Sequence, residues 1–288
     1  TDAFDASPEN IDKLTQRDVI RLPNGTISTA MLVKPTRGNR VQADYKIQFA
    51  NAKAMENMAS LSAAAASLLD NGTATMSRQQ IQDRIDALQG SIHYGISGNR
   101  LMVSLSTHKK HFPELLQLSL ELIQQASYPL KEVDEYKERV ITSIRNAMTE
   151  PGALANNILS RHSNIWPKGD VRYVPTYEEL IENIQAIKPE ALREFQSNFF
   201  GAGDIDIAVV GDFDPLQIRQ ILENGLKDWK QAPRYERIDT PYHAVKPETF
   251  TIETPDKSNA VYMARLPIEM QNDDPDYPAL FMANYLLG

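Results

Sequence analysis

The sequence predicts an α+β fold, with a mixed, mainly antiparallel sheet packed against helices. Two patterns and one bulk property carry that prediction. Read along the chain, the elements come as three strands, two helices, two strands, a run of four or five helices, a strand and a helix. Most of the strands are joined directly by hairpins, whereas a doubly wound parallel sheet alternates strand and helix throughout. The composition, 42% hydrophobic and 24% charged over 288 residues, is that of an ordinary globular chain able to bury a sizeable core.

The elements follow in order. Residues 1–17 are polar and are expected to be an N-terminal linker. Residues 19–22 and 27–33 read as a hairpin around Pro23-Asn24-Gly25-Thr26, because Asn-Gly readily adopts the positive φ of a two-residue turn. Residues 43–49 alternate and read as a third strand. Residues 55–69 are alanine-rich and apolar on several faces, which predicts a buried helix ended by Gly72. Ser77 with Gln80 forms a capping box for a helix to Leu88, stopped by Gly90. Residues 91–97 and 101–106 read as a strand pair around Gly98-Asn99. Residues 111–125 and 130–148 are amphipathic helices separated by Tyr128-Pro129. Pro151, Pro189 and Pro215 each open a helix, the last two running to Phe199 and Trp229, and Thr176 with Glu179 caps another that runs to Ala186. Residues 205–210 are a short apolar strand closed by Gly211-Asp212. Pro233, Pro241, Pro247 and Pro255 mark residues 233–258 as a linker. A strand at 260–266 and a helix at 277–287 then follow.

Bulk properties narrow the function. A net charge of −8 without a basic stripe gives nucleic-acid binding little electrostatic support. There is no cysteine, so disulfides and thiolate zinc sites are excluded. A cysteine-free chain fits the bacterial periplasm and the cytosol alike; the periplasm is the favoured expectation. No apolar run approaches the ~18–20 residues that span a bilayer. Thr1-Asp2-Ala3-Phe4-Asp5 does not read as a signal peptide, and Tyr285-Leu286-Leu287-Gly288 breaks off inside an apolar helical pattern, so a fragment of a longer chain is expected.

Several segments together resemble the zinc peptidases of the pitrilysin/insulinase family. Leu68-Leu69-Asp70-Asn71-Gly72-Thr73 is similar to the helix end and Gly-Thr that follow the family's zinc motif. Residues 81–90 resemble the next helix, and residues 91–106 the strand pair after it. Tyr128-Pro129 with residues 133–140, then residues 177–199, then residues 207–215 continue the pattern in the same order. The resemblance runs from about Val19 to Trp229. It implies a metallopeptidase-half domain over residues 18–232, and the start of a second, homologous and truncated domain over residues 259–288.

An active member of that family carries His-x-x-Glu-His on a helix, two imidazoles one turn apart on zinc and a glutamate acting as general base, with a downstream glutamate as third ligand. Counted back from Gly72-Thr73, the histidine positions fall on Ala63 and Ser67 and the general base on Ala66; the downstream ligand falls on Ser143 or nearby. Alanine neither ligates nor transfers a proton, and a serine hydroxyl is a poor zinc ligand at neutral pH. No histidine precedes His93, so a shifted register does not restore the motif. The resemblance therefore implies a degenerate site, with no catalytic, cofactor-binding or metal residue in this chain.

Other chemistry-bearing residues read as structural. His108 and His111 have i, i+3 spacing, but Lys109 and Lys110 between them oppose a dication and no third ligand is evident. His93, His162 and His243 stand alone in the sequence. Gly211-Asp212-Phe213-Asp214 lacks the spaced oxygens of a calcium loop, and Gly201-Ala202-Gly203 is too short for a phosphate loop. Ser62, Ser67 and Ser143 have no paired His and Asp to make a nucleophile.

What the resemblance implies is the inactive half of a zinc-dependent endopeptidase, forming the non-catalytic wall and closing interface of a peptide-degrading clamshell. The expected partners are a companion catalytic half, on the same or another chain and holding the zinc, and peptide substrates; nucleic acid is not expected. The alternative is a scaffold subunit of the core-protein type in the same family, with no peptidase role.

Overall fold

The computed structural model describes residues 4–287. It is α+β, as the element order predicts, and its centre is a six-stranded sheet. The strands are β1 (Gln16–Leu22), β2 (Gly25–Val33), β3 (Arg40–Gln48), β4 (Ser91–Ser97), β5 (Arg100–His108) and β6 (Asp204–Gly211). The helices are α1 (Pro8–Leu14), α2 (Ala59–Ser67), α3 (Arg78–Ala87), α4 (Phe112–Gln125), α5 (Leu130–Ala147), α6 (Pro151–His162), α7 (Tyr177–Gln185), α8 (Pro189–Phe199), α9 (Pro215–Leu226) and α10 (Tyr277–Leu287).

The strand order is β1-β2-β6-β3-β5-β4. Consecutive strands β2 and β3 are not neighbours, because β6 returns after five intervening helices and inserts between them. It runs parallel to β2, from Thr26↔Asp204 onward, and antiparallel to β3, with Tyr45 opposite Ile207. Every other pairing is antiparallel.

Alternation along the strands makes the sheet one-sided. Val41, Ala43, Tyr45 and Ile47 of β3 are buried, as are Leu101, Val103 and Leu105 of β5 and Ile205, Ile207 and Val209 of β6. They meet a core in which Phe49 packs edge-on against Phe195 and Phe200, with ring centroids 6.3 and 5.6 Å away. The opposite face mixes polar pairs with apolar groups: Lys46 pairs with Asp206 at 3.0 Å, and Ser104 donates to Asp44 at 2.5 Å. A cavity of about 700 Å³ lies over it, lined in part by Ser28, Ala30, Ala208 and Met102.

The Asn24-Gly25 turn is fixed by tertiary contact as well as by local preference. A Cβ on Gly25 would lie 2.4 Å from the Gly203 carbonyl oxygen, so only glycine lets the two backbones meet. The Asn24 amide donates to the carbonyls of Leu226 and Trp229, at 2.7 and 2.5 Å, tying the hairpin to the end of α9.

Three expectations change. Residues 8–17 of the expected N-terminal linker form α1 and the start of β1: Ser7 caps the helix and Pro8 opens it. Residues 1–3 of that linker lie outside the described residues. The helix expected from residue 55 begins only at Ala59, because Asn57 takes a left-handed φ of 61° and its N–H turns away to the Gly169 carbonyl. The strand expected at 260–266 does not form; it has no neighbouring strand to complete a ladder, and Tyr262 is 91% exposed.

Residues 233–258, expected as a linker, carry no helix or strand and are bound to the rest of the chain. The Ala50 N–H donates to the Pro233 carbonyl, and the Asn99 amide donates to the carbonyls of Ala50 and Glu236. Arg172 donates to the Asp239 carbonyl at 2.7 Å. His243 and His162, solitary in sequence, reach across in opposite directions, His243 to the Ser163 carbonyl and His162 to the Lys246 carbonyl, both at 2.8 Å. The segment is a strap bound along α6.

Candidate functional site

Helix α2 is the element on which the family's metal ligands would stand, and its small residues decide how it packs. Ser62, Ala64, Ala65 and Ala66 are buried, and the helix lies against α7, α8 and β4. Short side chains let those neighbours approach closely. The Ser62 hydroxyl turns back to the Ala59 carbonyl at 3.0 Å, and the fully buried Tyr128 donates to the Ala65 carbonyl at 3.2 Å. Beyond Ser67 the chain tightens, Leu68 and Leu69 are buried, and Gly72 adopts a φ of 147°. A Cβ at Gly72 would meet the Pro129 ring at 2.8 Å, so this glycine fits the chain under the loop between α4 and α5.

The four positions inferred from the resemblance are not equivalent in space. Ala66 is buried, Ala63 is half-buried one helical turn before the exposed Ser67, and Ser143 is exposed on α5. Ser67 lies beside the Tyr136 hydroxyl of α5. Ser143 is seven residues beyond Tyr136 on the same helix, about 10 Å further along the axis. The contact between α2 and α5 therefore falls at Tyr136, a residue the sequence reading did not single out. Its signal was present: Val133, Tyr136 and Val140 repeat at helical spacing, marking the inward face of α5.

The electrostatics here are those of buried, neutral groups. Burial raises the Tyr136 phenol above its usual range, opposed by Arg139, which stacks 5.7 Å from the ring, and by Ser67. Burial also pushes Tyr45, Tyr94 and Tyr128 well up, so they act as uncharged hydrogen-bond donors. Tyr45 meets the Ser119 hydroxyl at 2.9 Å, that hydroxyl in turn donates to the Leu116 carbonyl, and Tyr94 donates to the Ser119 carbonyl at 3.0 Å. Burial raises the Asp70 carboxyl, just past α2, while Arg78 and His93 nearby act to lower it.

This donor set does not fit zinc. In the register the resemblance implies, α2 offers two methyl groups and a serine hydroxyl where two imidazoles and a carboxylate would stand, and Ser67 lies beside a phenol held neutral by burial. Elsewhere, the rings of His108 and His111 are 6.4 Å apart, and His108 Nδ1 accepts from the Lys110 N–H at 3.2 Å. Asp212 pairs with Lys109, and Asp214 caps α9 through the Leu216 N–H at 2.9 Å, so both are structural. Among the described residues no helix is long and apolar enough to cross a membrane.

Comparison with known proteins agrees with this architecture. A family model described as the peptidase M16 inactive domain matches residues 186–288. A peptidase M16 inactive domain from Pseudomonas fluorescens superposes with a TM-score of 0.66 at 16% identity, covering 79% of this chain and 54% of that one. A protease from Helicobacter pylori gives 0.64 at 14% identity, covering 80% and 54%. The periplasmic protease PqqL from Escherichia coli gives 0.63 at 16% identity, covering 79% and 25%. This chain thus spans about half the length of the first two and a quarter of the third. A search of curated protein sequences finds no match. Residues 186–288 thus match the peptidase M16 inactive domain, and the fold of the chain is that of solved peptidase M16 inactive-domain structures.

Proposed function

We propose that this chain is a non-catalytic half-segment of a zinc-dependent endopeptidase, walling and closing a peptide-degrading chamber while a companion half holds the metal. The observation that carries the reading is α2 itself: where the family's ligands would stand, it offers Ala63, Ala66 and Ser67, and Ser143 stands on α5 in place of the downstream glutamate. The inactive-domain match at residues 186–288 supports the same reading. So does the C-terminal region, where α10 and residues 261–266 carry apolar side chains that the described residues leave uncovered, Tyr262, Leu266, Leu286 and Leu287 among them. That surface suits the opening of a second homologous domain, with the bound segment 233–258 as its connection. The PqqL likeness favours a periplasmic setting.

The test is zinc content and hydrolysis of a fluorogenic peptide by the purified chain, alone and mixed with a catalytic half. The expected result is no stoichiometric zinc and no cleavage by the chain alone, with cleavage appearing on mixing. The combined variant Ala63→His, Ala66→Glu, Ser67→His and Ser143→Glu is expected to gain at most weak zinc binding and no efficient cleavage, because position 143 lies about 10 Å along α5 from the meeting with α2 and the surrounding groups are not arranged to orient the ligands. Tight zinc and cleavage by the unaltered chain would overturn the reading. Absence of cleavage in every mixture would favour the scaffold alternative.

A further inference from the structure

A groove of about 900 Å³ runs between α4 and α9, away from the contact of α2 with α5. Amides make up much of its walls. Gln117 and Gln124 lie seven residues apart on α4, and Gln217, Gln220 and Asn224 follow i, i+3, i+7 spacing on α9, so each helix presents one stripe of amides to the groove. The floor is apolar, made by the buried Leu120 and Ile221. One part is shut where Gln124 donates to the Gly225 carbonyl at 2.9 Å and the helices approach so closely that a Cβ on Gly225 would meet Leu120 at 3.0 Å. Among the described residues, the side-chain amides of Gln117, Gln217 and Gln220 make no hydrogen bond to protein.

The charges in the groove cancel. Two cations, Arg84 and Lys110, stand against two carboxylates, Glu114 and Glu121, with Arg84 3.3 Å from Glu121 and 3.8 Å from Glu114. No aromatic side chain lines the groove, so neither a sugar ring nor a nucleobase would find a stacking platform. What remains is a neutral track of groups that each hold one carbonyl acceptor and an NH₂ donor. A peptide bond presents the same pair, one acceptor and one donor. An amide stripe therefore matches a polypeptide main chain in any register and without regard to side chains. Seven helical residues span about 10 Å, the length of about three residues of extended chain at ~3.3 Å each.

We infer that the groove between α4 and α9 is a binding site, apart from the α2 region, which takes uncharged, extended polypeptide through its main chain. The probe is a short fluorescein-labelled peptide of Ser, Thr, Ala and Gly, titrated into the full chain by fluorescence anisotropy. Saturable binding is expected, unchanged on scrambling the peptide. Removing the peptide's own donors by N-methylation, or the groove's donors with the double variant Gln217→Ala and Gln220→Ala, is expected to weaken it about tenfold. Both substitutions are at exposed positions, so an unchanged thermal midpoint checks that the fold survives. Ser28→Ala on the bare sheet face is expected to leave binding as it was. Absence of saturable binding, indifference to the double variant or to N-methylation, or a preference for an oligosaccharide over the peptide would each overturn the inference. None of these outcomes depends on zinc or hydrolysis, so failure here is distinguishable from failure of the half-peptidase reading.

Discussion

Helices α2 and α10 are both short and alanine-bearing, and in both the apolar residues surround the axis instead of forming one stripe. Each follows a stretch with strand-like alternation, residues 40–48 for α2 and 260–266 for α10, and each runs into a Leu-Leu pair shortly before a glycine. Their surroundings differ. The stretch before α2 is β3, paired on both sides by β5 and β6, and α2 packs beneath α8 and beside β4 until Leu68 and Leu69 are fully buried. The stretch before α10 joins no sheet among the described residues, hydrogen-bonding to α6 through Arg265 to Asn156 and Ser160, and Leu286 and Leu287 are 77% and 88% exposed. A helix apolar all round is a core helix. The pair shows that such a sequence specifies the need for a core without supplying one: the sheet supplies it for α2.

The comparison is broken most decisively by matched truncations. Leu69→Ala is expected to cost about 2–5 kcal/mol, through lost burial and the cavity left behind, and Leu286→Ala no more than about 0.5 kcal/mol. Urea midpoints of the two variants measure this. Equal losses would mean that α10 is packed in solution and that the contrast is false. Enlarging instead of truncating gives a smaller effect of the same kind. Ala65→Leu forces four-carbon bulk under Tyr128, at about 1–3 kcal/mol. Ala283→Leu on the exposed α10 is expected to be close to neutral by the same assay.

The smallest effect concerns how the neighbours of α2 are anchored. Helix α7, which packs on α2 and α5, begins with a capping box in which Glu179 accepts from the Thr176 N–H at 2.9 Å. Its carboxyl also meets Lys168 at 2.9 Å and the Tyr173 hydroxyl at 3.0 Å. The Lys168 bond first, then Thr176 and Tyr173, hold the Glu179 carboxyl down at about 2. A carboxyl lowered in the folded state stabilises it above the ordinary carboxylate range, and that contribution is lost as pH falls through the folded value. Glu179→Gln is therefore expected to flatten the part of the stability profile between the ordinary carboxylate range and about pH 2, read as thermal midpoint against pH. An unchanged profile would show that the anchor is not coupled to folding.

Much of this molecule was legible in the chain because the signals are local. Ser77 with Gln80 and Thr176 with Glu179 are capping boxes in the structure as in the sequence, since each joins residues three apart. Asn24-Gly25 makes the hairpin turn, and the alternation of β3 and β5 places their apolar residues on one face. Pro151, Pro189 and Pro215 open α6, α8 and α9. Asn57 was not legible as a break, because its left-handed turn is held by Gly169, more than a hundred residues away. Nor was Tyr136 legible as the residue that meets Ser67, since a counted spacing names a position on a helix and not what faces it.

What the sequence determined by itself is the class of fold, the identity of its six central strands, and the side chains carried by α2. These follow from periodicity, turn chemistry and residue type, each read within a few residues. What only the tertiary structure decided is where distant pieces meet. It put β6 between β2 and β3, laid the 233–258 segment along α6 through His162 and His243, brought α2 to Tyr136, and left one sheet face and α10 bare. Those outcomes depend on hydrogen bonds and packing between groups far apart in the chain, whose partners no local pattern names.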